Sequence, residues 1–132
     1  MSRISHIEIN NFTAFSSLAQ DFSPGINILI GENGTGKTHL LKMLYAACAI
    51  TAGEDKEKSY ALKLRNVFNP YEGRMGRLSR RQASSVKTKV IVTRQEGGKL
   101  TAEFSNHTNK PEKANVTGEA SWKKEELTSA YI

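Results

Sequence analysis

The stretch INILIGENGTGKTHLL, residues 26–41, decides the fold class of this chain. Within it, residues 31–38 read GENGTGKT and fit the pattern G-x-x-x-x-G-K-[ST]. Glycines let such a loop turn back on itself so that its main-chain N–H groups converge on phosphate oxygens, and the helix that follows adds its positive end. In this pattern Lys37 reaches the outer phosphates and Thr38 ligates Mg²⁺. The pattern therefore predicts a cradle for a triphosphate tail. The candidate binding residues are Gly31, Glu32, Asn33, Gly34, Thr35, Gly36, Lys37, Thr38 and His39.

The flanks of the loop have the character that this interpretation needs. Residues 26–30, INILI, are a continuous apolar run, which favours a central strand buried on both faces. A helix is predicted from about Gly36 to Thr51, with Gly53 ending it, because apolar residues recur there at helical spacing. They are Leu40, Leu41, Leu44, Ala47 and Cys48, with Met43, Tyr45 and Ile50 on the other side. A glycine-rich turn with a fortuitous Lys-Thr pair is the alternative, and this strand–helix setting disfavours it.

The remaining elements are mostly strands. We predict a strand over 4–10, a turn over 22–25, a polar link over 54–60, a short helix over 61–68, a long polar loop over 106–120 and the start of a strand over 127–132. Residues 86–94 and 99–105 flank QEGG and predict a β-hairpin. Its inward faces are Val86, Val90 and Val92 on one arm and Leu100, Ala102 and Phe104 on the other.

Composition narrows the class further. The chain has 132 residues, 38% of them hydrophobic and 24% charged, which suits one folded domain or part of one. Its net charge of +6 favours anionic partners. Cys48 is the single cysteine, in an apolar run, and is interpreted as a small buried hydrophobe rather than a reactive thiol. With no signal peptide and no apolar run of membrane-spanning length, we expect a cytoplasmic chain with no membrane partner.

The loop and its flanks resemble a known group. GENGTGKT resembles G-x-N-G-x-G-K-[ST], the form typical of ABC-type P-loop ATPases of the SMC, RecF and OLD-like branches, and of related bacterial AAA-family ATP-binding proteins. Residues 4–44 resemble the N-terminus of that group: a strand, an NF turn, a second strand ending near Phe22, PGIN and then the loop. Many relatives have Arg or Lys after NF where this chain has Thr13, which puts a contact from that position to nucleotide in doubt.

The resemblance implies an α/β fold, the N-terminal lobe of an ABC-type P-loop NTPase. It implies a mixed, partly parallel sheet around the P-loop helix, flanked by an antiparallel β-subdomain. Residues 1–132 would be the ATP-binding lobe, truncated before the signature and Walker B motifs. ATP and Mg²⁺ would be the cofactors. Two such heads would form a homodimer in the full-length protein, with ATP between the loop of one and the signature of the other.

Turnover requires an acidic residue at the end of an apolar strand and a group that orients water. No apolar run in this chain ends in Asp or Glu, so we expect it to bind ATP without hydrolysing it alone. LSRRQ, residues 78–82, is similar to the ABC signature LSGGQ, but arginines fill the place of the glycines that let backbone approach phosphate. NKPE, residues 109–112, is similar to the guanine-reading N-K-x-D, but it ends in Glu and lies in a polar loop. We assign neither a function.

A basic stretch leaves a second partner open. Its members are Arg74, Arg77, Arg80, Arg81, Lys87, Lys89 and Arg94. The first four are candidates for DNA contact, but no aromatic residues are interleaved for base stacking, so a solvated or ion-paired face is favoured. His6, His39 and His107 have no metal-ligand spacing, and Trp122 is predicted to be a packing anchor.

Three functions therefore remain open. The first is the ATP-binding half of an ABC-type ATPase head. The second is a complete small P-loop kinase, in which Arg77, Arg80 and Arg81 would clamp the substrate phosphate, although the chain offers no carboxylate for Mg²⁺. The third is a basic nucleic-acid-binding module that does not depend on the loop.

Overall fold

A computed structural model of this chain describes residues 4–12, 15–21, 35–70, 73–78, 87–95, 97–108 and 110–124. The described elements are, in chain order, β1 (Ile4–Phe12), β2 (Phe15–Asp21), α1 (Thr35–Ala49), α2 (Tyr60–Phe68), β3 (Lys87–Arg94), β4 (Lys99–Ser105), β5 (Asn115–Thr117) and α3 (Glu119–Trp122). Short 3-10 helices lie at Gly53–Glu57, Met75–Leu78 and Pro111–Lys113.

The five described strands form one sheet in the order β2-β1-β3-β4-β5, and each neighbouring pair is antiparallel. In the middle of the sheet Ile9 lies opposite Val90, and Val90 lies opposite Ala102. The predicted antiparallel subdomain, made from the first strands and the hairpin, is therefore confirmed. The predicted strand at 26–30, which would supply a parallel partner, lies outside the described residues.

One face of this sheet forms the core. The alternation predicted for the hairpin is confirmed, because Val90, Val92, Leu100 and Ala102 are fully buried. They share a hydrophobic cluster with apolar residues of α1, namely Leu40, Met43, Ala46, Ala47 and Cys48, and with Ile50, which directly follows the helix. Helix α1 therefore packs in the same core as the sheet. Val86, predicted on this face, lies outside the described residues.

Helix α1 begins and ends within two residues of its predicted limits. The polar link predicted after α1 does connect α1 to α2, but it contains a 3-10 helix, Gly53–Glu57, that was not predicted. Asp55 holds this turn in place with ion pairs of 2.8 Å to Lys58 and 2.9 Å to Lys63. A short helix held by ion pairs has no periodic apolar residues, so the sequence pattern does not predict it.

Helix α2 confirms the short helix that was predicted before Pro70. Ser59 caps its start by accepting a hydrogen bond from the Leu62 N–H at 3.0 Å. Asn69 ends it in the left-handed conformation, with φ of 48°. Both ends are thus set by local side-chain and backbone chemistry.

The long polar loop predicted over 106–120 is wrong. It contains the 3-10 helix at Pro111–Lys113, strand β5 and the start of α3. β5 is a three-residue edge strand with mostly exposed side chains, so it has no apolar alternation to reveal it. The turn predicted at 22–25 and the strand predicted at 127–132 lie outside the described residues. In the part of the chain that is described, no helix is both long and apolar enough to span a membrane.

Candidate nucleotide-binding site

The start of α1 is the described part of the predicted phosphate site. The helix begins at Thr35, so Gly36, Lys37 and Thr38 lie in its first turn and His39 follows directly. No acidic residue is present in that turn, so the positive end of the helix dipole is not offset there by a carboxylate. For these residues the structure describes the main chain. Residues 31–34 lie outside the described residues, so their predicted roles remain predictions. Thr13, the departure from the pattern of the group, also lies outside them.

Helix α2 holds α1 through polar and aromatic contacts along one side. The Tyr60 hydroxyl donates a hydrogen bond to the Met43 carbonyl at 3.1 Å. Burial raises the pKa of Tyr60 far above its ordinary value, so the hydroxyl stays protonated and remains a donor. Lys63 of α2 lies 5.5 Å from the centre of the Tyr45 ring of α1, within cation–π range. The helix that would carry the phosphate loop is therefore fixed laterally.

Further along the chain, α3 holds the other end of α1. The Trp122 indole N–H donates to the Ala47 carbonyl at 2.8 Å, and Trp122 is 2% exposed. The prediction that Trp122 is a packing anchor is confirmed. Its partner residues could not be read from the sequence, because Ala47 lies 75 positions away.

Arg94 departs from its predicted place in a solvated basic stretch. It is 4% exposed, lies 4.5 Å from the centre of the Trp122 ring, and donates a hydrogen bond to the Trp122 carbonyl. The interpretation of Arg94 as a surface cation is therefore wrong. Its position at the end of β3, on the inward face of the sheet, directs it under α3. A sequence signal for this was its alternation with Val90 and Val92.

The rest of the basic stretch is only partly described. Arg74 and Lys87 are exposed, and Lys89 is half-buried. Arg80, Arg81 and the side chain of Arg77 lie outside what the structure describes. An open cavity of about 200 Å³ lies beside Lys87; its other lining residues are Glu103, Phe104, Ser105, Lys113 and Asn115. The structure thus brings Lys87 and Lys113 to one place, a pairing that the sequence stretch did not suggest.

Acidic groups for a metal are lacking in the described segments. No group of three His, Cys, Asp or Glu side chains there is placed to hold a metal ion. Asp21 ends β2, but its side chain is 90% exposed and lies 2.6 Å from His6. Glu112 of the NKPE segment is exposed in the 3-10 helix, while Asn109 lies outside the described residues. Thr38 therefore stays the one residue to which we assign a Mg²⁺ contact, as a prediction.

Comparison with known proteins defines the class. The family profile described as AAA domain matches residues 6–130, and the chain belongs to that family. This confirms the resemblance to the RecF/SMC-like P-loop ATPases, and with it a P-loop NTPase domain of the ATP-binding class.

Individual relatives agree. The chain is similar to the DNA replication and repair protein RecF of Lacticaseibacillus casei (strain BL23), with 26% identity over 93 residues, covering 70% of this chain and 24% of the relative. The RecF of Limosilactobacillus fermentum is 36% identical over 80 residues, covering 57% and 21%. That of Lactobacillus gasseri is 30% identical over 105 residues, covering 75% and 28%. The chain thus spans about a quarter of the length of these relatives.

Proposed function

We propose that residues 1–132 are the ATP-binding lobe of an ABC-type ATPase head of the RecF/SMC/OLD-like kind. The observation that supports this most is the G-x-N-G-x-G-K-[ST] loop followed by a helix that begins at Thr35, in a chain of the AAA domain family. A phosphate loop needs a helix that starts inside the motif, so that free N–H groups and the helix dipole face the anion. The described start of α1 meets that requirement.

The main chain and the side chains of the loop have different roles in this proposal. The main-chain N–H groups of residues 31–36 surround the β- and γ-phosphates. Lys37 supplies a mobile positive charge, and the Thr38 hydroxyl contacts Mg²⁺. His39 contributes its main-chain N–H. When bound, Mg²⁺ would neutralise charge between the outer phosphates, and this chain holds the nucleotide in place.

Hydrolysis and assembly require more than this lobe. The sequence has no apolar strand that ends in Asp or Glu, and the relatives are about four to five times as long as the matched segment. We therefore propose that the Walker B acid and the signature come from further sequence and from a second head. In this scheme the working unit is a cytoplasmic homodimer of heads, and the 132-residue chain binds ATP without turning it over.

Isothermal titration of the 132-residue chain with ATP and Mg²⁺ tests the binding step. We expect saturable heat in the unaltered chain and a loss of affinity of at least about tenfold in Lys37→Ala, because a charge-assisted phosphate contact is removed. Lys56→Ala is the matched control, since it removes the same charge from an exposed turn after α1. Equal affinity of Lys37→Ala and the unaltered chain would refute the proposal.

DNA is a second candidate partner of the same protein. Arg74, Lys87, Lys110 and Lys113 are exposed, two of these lysines line one cavity, and the relatives are named DNA replication and repair proteins. Arg77, Arg80 and Arg81 would extend the contact through the predicted basic stretch. This candidate predicts DNA binding that weakens steeply with salt and survives Lys37→Ala. Absence of DNA binding at low salt would remove this candidate.

The small-kinase alternative has no supporting observation among the described residues, and membership of the AAA domain family favours an ATPase.

A further inference from the structure

In the last turn of α1, the Ala47 carbonyl accepts a hydrogen bond from a residue far along the chain. Helix ends leave their final carbonyls without helical partners. Here the Ala46 carbonyl accepts from the Ile50 N–H at 3.3 Å, and the Cys48 carbonyl accepts from the Thr51 hydroxyl at 2.6 Å. Ala47, between them, accepts from the Trp122 indole N–H at 2.8 Å. This end of the helix is packed in the core, and a side chain from α3 adds a hydrogen bond to it.

The indole itself is held in one orientation. The Arg94 guanidinium covers its ring and also donates to the Trp122 main-chain carbonyl. Gly118, at the start of α3, lies so close to β4 that an added Cβ would be 2.2 Å from the Lys99 carbonyl oxygen. Both contacts join α3 to the sheet. Trp122 therefore connects α1 to β3 through Arg94, and Gly118 holds the start of the same helix, α3, against β4.

A second hydrogen bond, from α2, also holds α1, and together the two bonds fix how the helix is placed. Met43 and Ala47 are four residues apart, so their carbonyls lie on the same side of α1, one turn apart. Tyr60 donates to the first and Trp122 to the second. Two such bonds set both the rotation and the axial position of the helix. Thr35, at the other end, lies about 18 Å from Ala47 along the same rigid rod.

We propose that Trp122 is a positioning residue for the nucleotide-binding end of α1; this inference rests on the proposed ATP site. Phosphate cradles work only when their N–H groups are held within about 0.5 Å of the productive geometry. If the Ala47 attachment is lost, α1 samples other axial positions, and the fraction of molecules with a competent loop falls. Affinity for the triphosphate falls by the same fraction.

Trp122→Phe is the direct test, because it keeps an aromatic ring beside Arg94 and removes the N–H donor. We expect affinity for ATP with Mg²⁺ to fall about three- to tenfold, measured by titration calorimetry well below the melting temperature. Leu78→Ala is the matched control. It opens a cavity at a residue that is 4% exposed in the 3-10 helix at Met75–Leu78, and it should lower the melting temperature without changing affinity. Affinity of folded Trp122→Phe within twofold of the unaltered chain overturns the inference.

If Trp122→Phe does not fold, an NMR measurement on the unaltered chain tests the inference instead. Coupling is reciprocal, so ATP bound at the loop must favour the Trp122–Ala47 hydrogen bond. Trp122 is the single tryptophan, so its indole N–H gives one resonance in an amide correlation spectrum. We expect a saturable shift of that resonance whose midpoint matches the calorimetric affinity and which Lys37→Ala abolishes. An unmoved resonance beside normal ATP binding overturns this inference alone. Absence of ATP binding in the unaltered chain removes both it and the proposed function.

Discussion

The Arg94 guanidinium lies 4.5 Å from the centre of the Trp122 ring and donates a hydrogen bond to the main-chain carbonyl of the same residue. Arg94 ends β3 and Trp122 ends α3, so one side chain joins the sheet to the short helix that anchors α1. A planar guanidinium can stack on an aromatic face and donate in its own plane at the same time, which an ammonium cannot. The choice of arginine at this position therefore follows from geometry as well as charge.

Arg94→Lys tests that choice. We expect the free energy of unfolding to fall by about 1.5–3 kcal/mol, because a desolvated cation–π contact and a charge-assisted hydrogen bond are weakened together. Urea unfolding followed by circular dichroism measures it. Lys56→Arg is the control, since it makes the reverse exchange at an exposed position in the 3-10 helix at Gly53–Glu57, with an expected change within about 0.5 kcal/mol. Equal effects of the two substitutions would show that the contact between the guanidinium and the indole has no energetic consequence.

Gly118 and Gly53 form a matched pair for a second test. Both have positive φ, 78° and 66°, so an alanine would be strained by its backbone at either position. The two positions differ in the room that they leave for a side chain. A Cβ at Gly118 would lie 2.2 Å from the Lys99 carbonyl oxygen, whereas a Cβ at Gly53 meets nothing within 4 Å.

We therefore expect Gly53→Ala to cost about 1 kcal/mol from the left-handed backbone alone. Gly118→Ala should cost about 1–3 kcal/mol more, because β5 and α3 must move away from β4. Thermal unfolding of the two variants under the same conditions gives the comparison. A Gly118→Ala variant as stable as Gly53→Ala would mean that the start of α3 is not packed closely against β4.

The start of α2 depends on Ser59, whose hydroxyl oxygen accepts the Leu62 N–H at 3.0 Å. Ser59→Ala leaves that N–H without its capping acceptor, and we expect a loss of about 1 kcal/mol in unfolding free energy. Ser59→Asp keeps an acceptor at the same position and should retain most of the stability. Chemical denaturation measures the free energy of unfolding of both variants. If the two variants lost the same stability, the loss would reflect substitution at this position in general and not the removal of the cap.

How far the fold could be predicted depended on the period of the pattern. The hairpin was predictable because β-branched and apolar residues alternate at Val90, Val92, Leu100 and Ala102, and that alternation is what a half-buried strand requires. Helix α1 was predictable from its apolar spacing. Strand β5 was not, since three residues with largely exposed side chains on a sheet edge carry no periodic signal. Its place is set by tertiary pairing, with Val116 opposite Ala102.

The candidate site also has a part that the sequence predicts and a part that it does not. The loop motif, the helix behind it and the family were readable from residues 26–41, because the chemistry of phosphate binding dictates glycines and a lysine at set spacing. The contacts that hold α1 were not readable. Arg94 belongs to a residue type that is mostly exposed, and its partner Trp122 lies 28 positions later in the sequence. Long-range pairs of this kind are decided by the topology, which a local pattern does not contain.

His6 gives the last prediction, a pH dependence of stability. Its pKa is raised above the ordinary value of about 6.5, chiefly by the hydrogen bond to the Asp21 carboxylate at 2.6 Å. Burial opposes this rise in part, and a hydrogen bond to Glu8 at 3.3 Å adds to it. Because the folded state binds this proton more tightly than the unfolded state, the stabilisation is complete below pH 6.5 and is lost as pH rises through the folded pKa. We therefore expect the stability difference between the unaltered chain and His6→Gln to shrink from pH 6 to pH 8 in urea unfolding. Asp21→Asn, which removes the main cause, should lower the His6 pKa in an NMR titration. A His6 that titrates at or below 6.5 in the unaltered chain would contradict the proposed pairing.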